Sequence, residues 1–211
     1  MVAYVAAIGR LRFASDGAGI RTLVCMHGCP LDCKYCINKF THDGSFPGTL
    51  YSIEELYEKV KVDNVYFRAT GGGITFGGGE PLMQAEFISE FIRFTKKNKW
   101  NYVIETSLAV PKEKLIALAG EVSDSETELI FHVDIKTLDS DIYVDYTGKS
   151  LTEAKENLML LLDMVKSKKS VIVRVPEILG FADKEMQRKT IDELKGMGVE
   201  YIDAFRYQTK V

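Results

Sequence analysis

Apolar positions along this chain fall into two alternating rhythms. Short, nearly continuous apolar runs occur at Ile20–Met26, Ile74–Phe76, Tyr102–Glu105, Leu129–Asp134, Val171–Val175 and Tyr201–Phe205. Runs of this length and β-rich composition predict buried strands. Longer amphipathic stretches lie between them. One covers Ile53–Val62 behind "SIEE", where Ser52 can accept from a free amide while Glu55 reaches back. A second covers Leu82–Lys97, and a third begins at Pro111, a residue suited to a first helical turn. "SLTE" at Ser150 predicts another box, with Leu151, Ala154, Leu158, Leu161 and Val165 as the apolar stripe behind it. A last helix over Lys184–Lys195 stops at Gly196 or Gly198. Strand–helix alternation predicts an α/β protein with a parallel sheet. No linker, repeat or low-complexity tract divides residues 1–211, so one domain is expected. Six such units fall short of an eight-stranded barrel, which leaves an open doubly wound sheet and a partial barrel as the two architectures.

Composition narrows the function. At 211 residues, with 46% apolar and 27% charged positions, the chain is long enough for a full core without staples. A net charge of −3 argues against nucleic acid or an anionic membrane as partner. The basic clusters Lys96–Lys99 and Lys166–Lys169 each close a predicted helix, where they complement its dipole. "MVAYVAAIGR" lacks the form of a signal peptide and no run reaches membrane-spanning length, so a cytoplasmic protein is expected. In that compartment clustered cysteines point to a metal or to redox chemistry rather than to disulfides.

The unusual polar residues follow the strands. The cysteine segment "CMHGCPLDCKYCIN" follows the first, "GGGEP" (Gly77–Pro81) the second, Glu105 and Thr106 the third, and "DIK" (Asp134–Lys136) the fourth. Arg174 lies near the end of the fifth and "RYQ" (Arg206–Gln208) ends the sixth. Parallel α/β proteins build active sites at the C-terminal ends of their strands. The convergence predicts an enzyme.

All four cysteines lie between Cys25 and Cys36. Cys29, Cys33 and Cys36 form C-x3-C-x2-C in a loop, close enough for three thiolates to face one object. A structural zinc needs a fourth ligand and usually splits its ligands into two pairs. Cys25 or His27 could supply the fourth, but both sit in or beside the first strand, where Cys25 is expected to pack as a small apolar residue. Thiolates suit an iron–sulfur cluster equally well, and three cysteines on a cubane leave one iron open to substrate.

C-x3-C-x-(aromatic)-C, with Tyr35 before the last cysteine, resembles the signature of the radical S-adenosylmethionine (SAM) enzymes. "SDGAGIRTLVCMHGCPLDCKYCIN", "TGGGITFGGGEPLMQAEF" (Thr70–Phe87), "DIK" and "VIVRV" together are similar to the activating enzymes of glycyl-radical enzymes, in order, from Gly9 to about Gln208. The resemblance implies a partial (β/α)6 TIM-type barrel with parallel strands. It implies that Cys29, Cys33 and Cys36 bind a 4Fe–4S cluster whose open iron chelates SAM. Reductive cleavage of SAM then gives a 5′-deoxyadenosyl radical, which takes hydrogen from a glycine of a partner of the pyruvate formate-lyase type, with flavodoxin or ferredoxin as electron donor.

Carried over residue by residue, the resemblance places Tyr35, Ile37, Gly78, Gly79, Glu80, Asp134, Lys136, Arg174 and Gln208 at SAM, with Lys136 and Asp16 also in the catalytic set. Six glycines between Gly71 and Gly79 exceed what a turn needs, yet fit neither a phosphate loop nor a dinucleotide turn. Asp134 and Lys136, two apart on a strand, share a face. "DGAGIR" would put Asp16 at the substrate mouth and use Arg21 as an anchor, with Ala18 where the family has proline. Glu105, Thr106, His132 and Asp134 fall on a monovalent-cation site in which the family has aspartate for Glu105 and methionine for His132. Gln208 stands for a family histidine, and the family's further terminal region is absent from a chain expected to be a core domain alone. The competing assignments are an activase of anaerobic ribonucleotide reductase, a short radical SAM enzyme acting on a small molecule or peptide, and a zinc- or cluster-stabilised binding module.

Overall fold

Six of the strands in this protein run parallel, and their charged side chains gather on one face of the sheet. The computed structural model describes residues 1–13, 15–122 and 129–207. Its strands are β1 (Val2–Phe13), β2 (Ile20–Met26), β3 (Thr49–Ser52), β4 (Gly73–Gly78), β5 (Asn101–Thr106), β6 (Leu129–Asp134), β7 (Val171–Glu177) and β8 (Tyr201–Arg206). They form one sheet in the order β3-β1-β2-β4-β5-β6-β7-β8. The pairs from β2 to β8 are parallel, while β1 lies antiparallel to both β2 and β3. The helices are α1 (Ile53–Val60), α2 (Asn64–Thr70), α3 (Ala85–Thr95), α4 (Lys112–Val122), α5 (Ser140–Thr147), α6 (Thr152–Met164) and α7 (Lys184–Gly196).

Side-chain alternation decides between the two architectures. Val24, Met26, Ile74, Phe76, Tyr102, Ile104, Phe131, Val133, Val171 and Val173 are buried in the main core, where Phe91 of α3 edges onto Phe76 and Thr95 bonds the Tyr102 hydroxyl. Their neighbours one residue on point the other way. Arg21, Cys25, Thr75, Glu105, His132, Asp134 and Arg174 therefore share the inner face. Arg21 Nε donates to Thr75 Oγ1 at 2.7 Å, and Arg174 donates to Glu105 Oε1 at 2.8 Å. A doubly wound sheet would need an apolar second face for its helices. This inner face instead mixes Leu23, Val103, Ile130 and Ile172 with the charged and polar groups just named, as in a partial barrel.

The six predicted strands are present, two of them with the expected bounds. The capping box at Ser52 forms as expected. The one at Ser150 does not: Leu151 is the N-cap of α6 without a side-chain bond, and Ser150 Oγ accepts from the Thr152 amide in a local turn. The stretch from Leu82 to Lys97 divides into 3-10 turns at Pro81–Gln84 and Lys96–Asn98 around α3. Outside the expectations lie β1, β3, α2 and α5. No helix among the described residues is long and apolar enough to cross a membrane.

One ion pair ties the antiparallel edge to the helical layer. Arg10 grips Asp63 through Nε and Nη2, at 2.9 and 2.6 Å, and the Thr22 hydroxyl donates to the same carboxylate at 2.7 Å. Burial alone would raise the Asp63 pKa, but Arg10 and Thr22 hold it below the ordinary carboxylate value. A depressed folded-state pKa stabilises fully above the unfolded value of about 3.9, and that contribution disappears as pH falls through the folded value. The Arg10 side chain is half exposed, so screening limits the pair. Asp63→Asn is expected to cost about 1 kcal/mol at neutral pH and less at about pH 2. Urea unfolding at the two pH values checks this; an equal loss at both would remove the ion pair as the cause.

Candidate active site

The cysteine loop begins where β2 ends and is clamped on two sides. On one side the Gly79 amide donates to Met26 O at 3.0 Å and the Glu80 amide to Gly28 O at 2.7 Å. These bonds require a bare backbone: Gly78 has φ +87°, and a Cβ on Gly79 would overlap the Gly28 carbonyl oxygen. On the other side the Asp32 and Lys34 amides donate to Thr147 O and Tyr146 O, at 2.9 and 3.0 Å, at the end of α5. Between the clamps, Cys29, Cys33 and Cys36 open on one cavity of about 420 Å³, with Ile37, Gly78, Gly79, Glu80, Asp134, Lys136 and Arg174 also in its wall.

All four cysteines are free thiols. Burial pushes Cys29 up to about 12 and raises Cys33, the latter against the pull of Lys136. Thiols in this state become thiolates when a metal supplies the compensating charge. Cys25 is buried on the inner face of β2, outside the cavity wall, and burial beside Glu105 pushes it up to about 11.

Glu80 occupies an unexpected position for a residue that the resemblance places at SAM. It is 1% exposed and accepts from Thr106 Oγ1 (2.6 Å), the Ser107 amide (2.8 Å), Ser107 Oγ (2.7 Å) and the Leu82 amide (3.1 Å). Burial raises its pKa, against four donors that favour the ionised form. The carboxylate thus locks the end of β4 to the end of β5. Glu80→Gln would turn an amide N–H against donors that need an acceptor. It is expected to cost about 2 kcal/mol in a denaturant titration, and an unchanged midpoint would contradict the clamp.

Across the cavity, charges alternate along adjacent strands. Lys136 Nζ lies 3.1 Å from Asp134 Oδ2, and Arg174 links Glu105 (2.8 Å) to Asp134 (3.3 Å). Burial, with Asp134 and Asp16 nearby, pushes Glu105 up to about 7 despite Arg174. Burial acts upward on Asp134 too, but Lys136 and Arg174 leave it lowered. Burial and Arg174 push His132 down to about 4. His132 Nδ1 is buried with no hydrogen-bond partner, and Asp134 Oδ1 has only the Arg174 ion pair at 3.3 Å, outside hydrogen-bond geometry.

The residues assigned from sequence are not all brought together. Glu105, His132 and Asp134 share the inner face, but the Thr106 hydroxyl is turned to Glu80. Among the described residues no three His, Cys, Asp or Glu side chains converge as a single metal ion requires. A cluster that gives each thiolate its own iron makes no such demand. Tyr35 directs its ring onto Tyr146 and Phe181, away from the cavity wall. Asp16 lies before β2 against the inner face of the sheet and is not among the residues that line the cysteine cavity. It is buried against Arg12 at 2.7 Å, and its carbonyl accepts from Thr75 at 2.7 Å. Arg21 does anchor that loop, donating to Ala18 O at 3.1 Å. Gln208 lies outside the described residues. The wall also contains Tyr146, Ser107, Phe205 and Tyr207, which the sequence reading did not assign. For Phe205 and Tyr207 the signal was available, since both lie at a strand's C-terminal end.

A partial barrel with three cysteines at the C-terminal mouth of its strands defines an enzyme class that works through a cysteine-held cluster. The comparisons agree: a sequence profile of the radical SAM superfamily matches residues 23–188, and the chain belongs to that superfamily. It is 33% identical over 218 aligned positions to the pyruvate formate-lyase 2-activating enzyme of Escherichia coli (strain K12), covering 89% of this chain and 72% of that protein. It is 32% identical over 169 positions to the pyruvate formate-lyase-activating enzyme of Staphylococcus aureus (strain USA300), covering 80% and 66%. The chain thus spans about two thirds to three quarters of these relatives. The fold matches Streptococcus suis SuiB bound to precursor peptide SuiA, with a TM-score of 0.66 at 13% identity over 88% of this chain and 38% of that one. SuiB bound to S-adenosylmethionine matches with a TM-score of 0.63 at 14% identity over 87% and 38%.

The family implies a 4Fe–4S cluster and SAM. The residues here fit both. Three free thiols open on one cavity, Asp134 in its wall has an oxygen, Oδ1, that meets only Arg174 Nε at 3.3 Å and accepts no hydrogen bond, and the bare backbone of Gly78 and Gly79 lies in the same wall.

Proposed function

We propose that this chain is an activase that installs a radical on a glycine of a partner glycyl-radical enzyme of the pyruvate formate-lyase type. The observation that carries the reading is the meeting of Cys29, Cys33 and Cys36 with the glycine-rich end of β4 in one cavity. The names of the relatives point the same way. When bound, the reduced cluster and SAM supply a one-electron route to hydrogen-atom removal from an unactivated C–H bond. Cys29, Cys33 and Cys36 would hold the cluster, supplying three thiolate ligands. The Gly78–Gly79 backbone and Asp134 receive the ammonium end of SAM, while Lys136 receives its carboxylate. Glu80 keeps the glycine strand in place from behind. Flavodoxin or ferredoxin delivers the electron. Arg174 takes the position between Glu105 and Asp134, the place expected for a monovalent cation.

The test is anaerobic. The chain is reconstituted with iron and sulfide, reduced with dithionite and given SAM and the candidate partner. Iron content, 5′-deoxyadenosine and the partner's glycyl radical signal are then measured. About four irons per chain, nucleoside product and a radical on the partner are the expected results. No bound iron would overturn the cluster assignment. Nucleoside formation without a radical on any glycyl-radical partner would leave the superfamily chemistry but overturn the activase reading.

A further inference from the structure

We infer that Tyr207 is a positioning residue whose hydroxyl latches the last strand onto the cysteine loop and fixes the arm carrying Cys36. Tyr207 follows β8 directly, and its own amide donates to Glu177 O at 2.8 Å, so its backbone is held at the end of β7. From there the phenol crosses to the other end of the chain. Its Oη donates to the Tyr35 carbonyl at 2.7 Å, over a separation of 172 residues. The Ile37 amide lies close enough to the phenol to favour its ionised form. One hydroxyl thus ties the residue before Cys36 to the end of the last strand.

The surroundings support a latch rather than an incidental contact. Tyr207 lines the same cavity as the three cysteines. Its ring packs with a small apolar cluster of Tyr146, Ile178 and Ala182, separate from the main core, and Cys33 and Phe181 pack on it too. The Cys33 side of the loop is already held by α5 through the Asp32 and Lys34 amides. Only the Cys36 side depends on the phenol, because the Cys36 amide itself bonds back to Cys33 O within the loop.

The consequence for the cavity rests on the reading of Cys36 as a cluster ligand, but the latch itself is tested without the cluster. Amide hydrogen exchange is followed in the cluster-free chain and in Tyr207→Phe, which keeps the ring. Losing the hydroxyl is expected to speed exchange of residues 35–37 about fivefold, with β7 and β8 unchanged. Tyr207→Leu, which also removes the ring from the apolar cluster, extends the effect to Cys33 and Lys34. In the reconstituted enzyme, Tyr207→Phe is expected to raise the KM for SAM about fivefold at unchanged iron content and little-changed kcat. Exchange at residues 35–37 that matches the native chain in both variants would overturn the latch. A native chain that binds no iron would overturn the cluster reading and leave the exchange result standing.

Discussion

Cys33→Ala is expected to give a folded, colourless protein with no SAM cleavage. Cys33 is the cysteine that packs on both apolar clusters, and it faces Lys136 electrostatically. Its loop position is set by backbone bonds from neighbouring residues to α5 rather than by its thiol. Alanine keeps that backbone and removes one sulfur, which should cost about 1 kcal/mol of packing at most. The chemical loss is of another order, because a cubane held by two thiolates has lost one of the bonds that retain it. Iron content, visible absorbance and 5′-deoxyadenosine yield are measured beside the native chain, with the urea midpoint as folding control. A brown variant that cleaves SAM at the native rate would remove Cys33 from the ligand set. Cys25→Ala is the companion substitution: it lies outside the cavity wall, so the cluster should still assemble.

The second large effect is expected at Gly79, from packing rather than ligation. A Cβ there would overlap the Gly28 carbonyl oxygen and come within 2.8 Å of Met26 O. Both neighbours are backbone, and both accept the bonds that clamp the loop to β4. No side-chain rotation relieves the overlap, so Gly79→Ala must push the strand end and the cysteine loop apart. A cost of about 3 kcal/mol is expected, together with loss of iron binding in the fraction that stays folded. Gly196→Ala is the control, because a Cβ there meets nothing within 4 Å and should change stability by less than about 1 kcal/mol. Equal effects at the two positions would show that the clamp does not depend on a bare backbone.

The parts of this fold legible in the sequence are those where a short apolar run is bounded by turn residues. Ile20–Met26 and Leu129–Asp134 coincide with β2 and β6. β1 escaped because its pairing with β2 shifts register between Val5 and Ala7 and between Gly9 and Arg12, which breaks the alternation that marks a strand. α5 has eight residues and a weak apolar stripe, and its start is fixed by Asp139, whose carboxylate accepts from the Asp141 and Ile142 amides. At the site, strand ends located the chemistry, but the partners of each polar group were not readable. Glu80 carries the right charge for an ammonium group, yet its donors lie on Thr106 and Ser107. Arg174 was assigned to SAM, and the ion pairs that hold it between two carboxylates depend on the neighbouring strands β5 and β6.

The two clamps on the cysteine loop also set an order of events during synthesis. The loop leaves the ribosome early, yet Tyr146, Thr147, Phe181 and Tyr207, which hold it, come much later. Contacts of such long sequence separation form only after the intervening chain has folded. The loop therefore gains its full set of contacts only once β8 has been made, and a chain halted before β8 would lack the Tyr207 bond to Tyr35 O.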